Sequence, residues 1–444
     1  MSRYHSHRLT AAEVHPVLGD AILADGFPFV FDPEASHAST LVDAVTGESY
    51  LDLFSFFASN ALGFNHPGLA DPAMVAELGR SAIQKPSNSD VYTVAQAEFV
   101  ACFRRVLGDD ALPHHFFIDG GTLAVENGLK VAFDYKSRLN QLQGRSPELG
   151  TRILHLKDAF HGRSGYTLSL TNSDPVKTDR FPKFDWPRIT SPYTGAAADG
   201  SPRDVAALED RALAEAAAAF AAHPHDIAAF IAEPIQAEGG DHHFSDTFLP
   251  RMQELVRAHD ALFILDEVQT GVGLTGTAWA YQQMGLEPDI VAFGKKTQVC
   301  GIMVSRRVDQ VPDNVFQVSS RINSTWGGNL TDMVRARRIL EVIEADSLIA
   351  RAAELGGWLL DQLRRLSARQ PIATNPRGRG LMCALSLPDT ATRDEVLRRL
   401  RQRHVLMLGC GQRSLRFRPA LIVTQDELSH GLAQLDAVLS ELSA

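Results

Sequence analysis

Two apolar runs in the second half of the chain end in side chains able to do chemistry. ALFILDEVQTG puts Asp266 at the end of one, and EPDIVAFGKK puts Lys295 and Lys296 at the end of the next. A carboxylate and an amine at strand ends suit an enzyme that uses pyridoxal 5'-phosphate. That cofactor takes a lysine amine onto its aldehyde as a Schiff base. It also needs a buried carboxylate to keep its ring nitrogen protonated, so that the ring can draw electrons. On chemistry alone Lys296 serves nearly as well as Lys295.

Other candidates also follow apolar runs, where an open parallel sheet binds its ligand. Gly120, Gly121 and Thr122 lie between the run HHFFI and the helical spacing of Val125, Leu129 and Ala132. Small residues there let backbone N–H groups and a helix dipole approach a phosphate, although an ordinary tight turn has the same composition. Phe160, His161 and Gly162 follow TRILHL, and an aromatic at that place suits stacking on a pyridine ring or, equally, core packing. Arg163 comes next, and its guanidinium suits bidentate binding of a substrate carboxylate or a solvated surface position.

GVGLTG, with Gly271, Gly273 and Gly276, satisfies the dinucleotide-binding pattern, but the polar DEVQT separates it from its strand and no second strand with a ribose-binding acid follows. A dinucleotide-binding protein is therefore a remote alternative. The adjacent pairs His114 with His115 and His242 with His243 point to opposite faces if they lie on strands, and no metal site is expected from them.

The elements that must position these groups read as an α/β protein. TRILHLKDAFHG, IAAFIAEPIQ, ALFILDEVQ and DIVAFGKK are short, nearly continuous apolar runs mostly separated by helical segments, as in a parallel sheet buried on both faces. AALEDRALAEAAAAFAAH reads as a crossover helix, and STLVDAVTGESYLDLF as a β-hairpin that precedes the first helical pattern. After Asn329 a long amphipathic stretch leads to strands near GLMCALSL and SLRFRPALIV, a smaller second α/β domain. The expected division is 1–65 contributing to the small domain, 66–335 as the large cofactor-binding domain, and 336–444 as the C-terminal small domain.

The 444 residues suffice for such an arrangement, and a net charge of −10 gives no footprint for nucleic acid. Four scattered cysteines, Cys102, Cys300, Cys383 and Cys410, make no C-x-x-C pair, so neither a disulfide framework nor a thiolate metal site is indicated. The start of the chain has no apolar leader and no stretch approaches a membrane span, so a soluble, unprocessed, cytoplasmic protein with small-molecule partners is expected.

DEVQTGVGLTG, PDIVAFGKK, AEPIQAEGGD, AFHGRSGY, STWGGN and RFRPAL together resemble, in order, the motifs of the class III, ω-amino-acid aminotransferases. The resemblance runs from about Val17 to the C-terminus and is greatest to members acting on the ε-amino group of L-lysine, with 4-aminobutyrate and ornithine enzymes as more distant alternatives. It implies the pyridoxal-phosphate transferase fold of type I, a homodimer with shared active sites, and ping-pong transfer from L-lysine to 2-oxoglutarate. The products would be 2-aminoadipate 6-semialdehyde and L-glutamate.

By motif, Lys295 is the implied Schiff-base lysine, Asp266 the partner of the ring nitrogen, Gln269 a neighbour of the ring's phenolic oxygen, and Phe160 the stacking residue. Gly121 and Thr122 would hold the phosphate, with Thr325 reaching it from the other subunit. Arg163 would hold the α-carboxylate of lysine while Glu238 pairs with Arg416. Glu238 would then swing aside so that Arg416 binds the keto acid, and Asn323 is a further substrate-pocket candidate. Two positions depart from the family: GGTLA stands for the usual S-G-x-E-A, and Leu274 stands where many members carry arginine.

Overall fold

A strand buried on both faces has no polar side to display, and the continuous apolar runs accordingly form one seven-stranded sheet. In chain order its strands are β1 (His114–Ile118), β2 (Arg152–Leu156), β3 (Arg188–Ile189), β4 (Ile227–Ala232), β5 (Leu262–Asp266), β6 (Ile290–Phe293) and β7 (Cys300–Val304). The spatial order is β1-β7-β6-β5-β4-β2-β3. Only β7 runs against its neighbours β6 and β1; the remaining adjacent pairs are parallel. The structure is a computed structural model and describes residues 8–196 and 201–443. The first seven residues, part of the start read above as lacking a leader, lie outside the described residues.

CGIMV gives no sequence sign of being an antiparallel strand, and its insertion determines the geometry of the site. Instead of a long crossover after β6, the chain reverses through the tight turn Lys295–Thr297 and returns as β7, with Phe293 opposite Gly301. Lys295 and Gln298 take positive φ, 55° and 59°, to make that reversal. One face of the sheet is covered by the 22-residue helix Gly121–Leu142, whose Val125, Leu129, Ala132 and Tyr135 pack with Ile264, Ile290 and Ile302. Phe263, Leu265 and Phe293 face the other core, with helices Val94–Val106, Phe248–Ala258 and Leu330–Ala345.

The amphipathic stretch after Asn329 is two helices. Asn329 caps the first, Leu330–Ala345, by accepting from Thr331 N at 2.9 Å, and Ser347, at φ 51°, starts the second, Leu348–Arg369. The chain then makes a four-stranded antiparallel sheet from Thr374–Arg379, Met382–Ser386, Ser414–Phe417 and Leu408–Cys410. The early hairpin, Thr40–Val42 with Ser49–Asp52, takes Val405–Leu406 as a parallel third strand, so residues near the two ends of the sequence share a sheet. No described helix is long and apolar enough to cross a membrane.

Candidate active site

The carboxyl ends of β2, β4, β5 and β6 open on a cavity of about 550 Å³ lined by, among others, Thr122, Phe160, Arg163, Glu238, Asp266, Gln269 and Lys295. Asp266 ends β5 and is buried. Its Oδ2 accepts from His161 Nδ1 at 2.9 Å and its Oδ1 from Val268 N at 3.1 Å. A carboxylate oxygen is an acceptor, so in this pair His161 Nδ1 is the donor. Its buried Nε2 has no hydrogen-bond partner among the described residues.

A second carboxyl, Glu233, borders the cavity and accepts from Phe160 N and Ala237 N, both at 3.0 Å. Burial, opposed by His161 and reinforced by the charge of Asp266, pushes its pKa up to about 7.

The reversal after β6 separates the two adjacent lysines. Lys295 lines the cavity, whereas Lys296 is fully buried elsewhere and donates to the carbonyls of Ala58 at 3.2 Å and Gln269 at 3.1 Å. Burial first, then the positive charges of Arg416 and Arg418, push Lys295 down to about 7, against the opposing effect of Asp266 and Glu238. An amine with that pKa is substantially neutral near pH 7, the form in which it is a nucleophile or base.

At the end of β1 the turn passes through Gly120 at φ 93°, and helix Gly121–Leu142 begins without a side-chain cap. Its first-turn N–H groups are thus open toward the cavity, as a phosphate requires. Packing nearby is tight at two glycines: a Cβ on Gly121 would press on Val268 Cγ1 at 3.1 Å, and one on Gly162 would clash with Thr122 Oγ1 at 2.5 Å. Open amides, the aromatic Phe160, the buried Asp266 and the amine of Lys295 in one cavity form a donor set that fits a phosphorylated pyridine.

Gln269 is oriented by a residue with no assigned role in the sequence reading. Arg418 Nε donates to Gln269 Oε1 at 2.9 Å, which leaves the amide NH₂ as the end able to meet an acceptor in the cavity. Arg418 also pairs with the buried Asp241.

Glu238 bridges two cations, with Oε2 3.2 Å from Arg416 Nη2 and Oε1 2.5 Å from Lys177 Nζ. Burial opposes its charge, but Arg416 and Lys177 outweigh burial and hold its carboxyl below the ordinary glutamate value. Arg163 stands exposed on the cavity wall, and the turn beyond it is held by Glu126, which accepts from Thr167 N at 3.1 Å.

Asn323 and Thr325 are not brought to this cavity. Both lie on an exposed segment stapled to residues 88 and 89, with Ser89 Oγ donating to Ser324 O at 2.7 Å and Asn88 Nδ2 to Gly328 O at 2.8 Å. The glycines of GVGLTG serve packing: a Cβ on Gly271 would lie 2.5 Å from the Trp279 ring, and one on Gly276 2.8 Å from Ala353 Cβ. Sequence reasoning missed Phe56, Phe57, Lys177, Glu233 and Val268 as cavity residues. A single lysine after PV and an aromatic pair in SFFA carry no periodic or motif signal, whereas Glu233 stands inside the quoted AEPIQAEGGD.

The family model for class III aminotransferases matches residues 26–439. The L-lysine-epsilon aminotransferase of Mycobacterium tuberculosis is 60% identical over 432 residues, 97% of this chain and 96% of that protein. That of Amycolatopsis lactamdurans is 57% identical over 97% of this chain and 96% of its own. A solved structure of the lysine aminotransferase from M. tuberculosis in its internal aldimine form is 59% identical, covers 98% of this chain and 100% of that one, and has a TM-score of 0.95.

Proposed function

The chain belongs to the class III aminotransferases, and from that premise we propose that it moves the ε-amino group of L-lysine to 2-oxoglutarate. The products are 2-aminoadipate 6-semialdehyde, which tends to cyclise, and L-glutamate, released in two half-reactions of a ping-pong sequence. The observation that carries this reading is the near-complete match, at 57 to 60% identity, to proteins of that activity. Bound pyridoxal 5'-phosphate supplies the electron sink that makes the hydrogen beside the amine acidic.

The chain's own residues divide the remaining work. Gly121 and Thr122 would hold the phosphate through first-turn amides, and Thr325 would reach the same group from the other subunit of a dimer. Asp266, aimed by His161 and the Val268 amide, would hold the proton on the ring nitrogen. Phe160 would stack on the ring, and the Gln269 amide NH₂ would meet its phenolic oxygen. Lys295 would hold the cofactor's aldehyde, and its Nζ, when neutral and free, is the group in the cavity that can take a proton from the substrate's ε-carbon. The support for Lys295 over Lys296 is position: Lys296 spends its donors on two backbone carbonyls.

One pocket has to take a substrate with a single carboxylate and then one with two. While lysine is bound, Arg163 holds its α-carboxylate and Glu238 occupies Arg416. When 2-oxoglutarate enters, Glu238 rotates away and Arg416 takes the α-carboxylate. An unpaired buried guanidinium costs several kcal/mol, so a removable internal partner is favoured over an empty site. Asn323 borders the substrate pocket in the assembled dimer.

The fuller reading is a cytoplasmic homodimer, in keeping with four buried cysteines that are all unpaired. We also propose a small domain built from 1–65 with the C-terminal part of the chain and a large domain from residue 66, supported by the sheet that the early hairpin shares with Val405–Leu406; the helix Leu330–Ala345, which packs on the large sheet, runs across the expected 335/336 boundary.

The test is to add L-lysine, 4-aminobutyrate and L-ornithine separately, without keto acid, to the purified holoenzyme and follow the cofactor's visible absorption. Lysine should convert it far faster than the others; a faster response to either alternative would keep the residue roles and move the substrate. Glu238→Ala should slow the lysine half-reaction more than the glutamate half-reaction.

A further inference from the structure

Glu238 has two oxygens, and each has its own cation. The two cations differ in depth: the Arg416 side chain is 2% exposed and that of Lys177 22%, so the carboxylate spans from the inner wall of the cavity to its mouth. Arg416 keeps Nε and Nη1 buried without hydrogen-bond partners among the described residues, which leaves donors for a second carboxylate.

The backbone at Glu238 has no freedom to follow a movement. A Cβ on Gly239 would lie 2.1 Å from the Asp158 carbonyl oxygen, Glu238 O accepts from Gly411 N at 2.9 Å, and Ala237 N donates to Glu233 Oε2 at 3.0 Å. Departure from Arg416 is therefore a side-chain rotation, and its destination must lie within one side chain's reach. Lys177 already touches the carboxylate on its outer side. It is itself fixed, because it ends the short turn Pro175–Lys177 capped by Asp174, and its Nζ lies 5.4 Å from the centroid of the Phe160 ring.

We propose that Lys177 is a positioning residue that holds Glu238 once it has left Arg416, and thereby sets how readily the pocket admits a dicarboxylate. The proposal rests on the reading of Glu238 as the removable partner of Arg416. Without Lys177, a departing Glu238 becomes a half-buried charge with no partner; with it, one of two ion pairs survives. This favours the open arrangement. An amine donor with a single carboxylate leaves the closed arrangement in place and gains nothing from Lys177.

Calorimetric titration of the holoenzyme with glutarate, a dicarboxylate lacking the keto group, tests this alongside single-turnover kinetics with L-lysine. Lys177→Met should weaken glutarate about tenfold, with the lysine half-reaction within about twofold of wild type, and Lys177→Arg should restore most of the loss. Glu238→Gln should tighten glutarate by freeing Arg416, and in that background Lys177→Met should cost nothing further. An equal loss in the Glu238→Gln background would mean that Lys177 touches the ligand directly and would overturn the proposal. Tightening by Glu238→Gln with no effect of Lys177→Met would overturn the role of Lys177 alone; no tightening by Glu238→Gln would overturn the reading of Glu238 beneath it.

Discussion

At the scale of single residues, the pair Lys295 and Lys296 shows how one peptide unit separates two chemically identical groups. Burial penalises the ammonium form of both, but Lys295 is left facing the cavity and Lys296 is bound to two carbonyls. Because the pKa of Lys295 is lowered to about 7, its neutral form predominates above that pH and the ammonium below it. In cofactor-free protein, a limiting amine-acylating reagent should label Lys295 with a midpoint near pH 7, read by peptide mass spectrometry, while surface lysines respond near their ordinary value of about 10.4. Arg416→Ala should move that midpoint upward, since Arg416 is the largest charge opposing the ammonium after burial itself. A midpoint in the ordinary lysine range would mean that the amine is solvated. That Asp266 and Lys295 end neighbouring apolar runs was legible in the sequence, and the structure brings both to one cavity. The contacts of His161, Arg418 and Lys177 were not, because each spans 61 to 149 residues of chain.

At the scale of elements, the apolar runs are legible as buried strands because both faces of the sheet are covered, yet the same property hides direction: CGIMV looks like its parallel neighbours and runs against them. A second feature without sequence signal is Ser55–Ala58, where four consecutive non-glycine residues have positive φ of 41°, 50°, 59° and 64°. Left-handed backbone costs roughly 1–2 kcal/mol per residue, so this turn has to be held from outside. Asp52 Oδ1 accepts from Phe54 N at 2.9 Å and Ser55 N at 2.8 Å, Ser55 Oγ donates to Arg418 O at 2.5 Å, and Lys296 Nζ donates to Ala58 O. The turn in exchange puts Phe56 and Phe57 on the cavity wall. Lys296→Met strands the carbonyls of Ala58 and Gln269, and should lower unfolding stability by about 1–3 kcal/mol in urea titrations. Unchanged stability would mean that the turn needs no such tether.

At the scale of the whole molecule, large apolar side chains lie open to solvent on two segments tied to Asp119, next to Gly120. Ile83, Tyr92 and Val94 are more than three-quarters exposed and Trp326 nearly half, on segments stapled together through Asn88 and Ser89. The same segment carries Asn323 and Thr325, which miss their own chain's cavity. A surface of this kind is expected where a second copy docks, and a twofold dimer would carry each Thr325 to the other chain's site. That arrangement makes a test possible which a monomeric site would fail. Lys295→Ala dimers lack the amine in both sites, and Thr325→Asp dimers place a repelling charge at both phosphates, so each variant alone should be inactive. In a dimer mixed from the two, the chain that keeps Lys295 receives an intact Thr325 from its partner, and one complete site is restored. Random re-pairing makes half the dimers mixed, each with one working site of two, so activity should return to about a quarter of wild type. If Thr325 served its own chain's site instead, the mixed dimer would contain no complete site, and activity would stay at that of the two inactive parents.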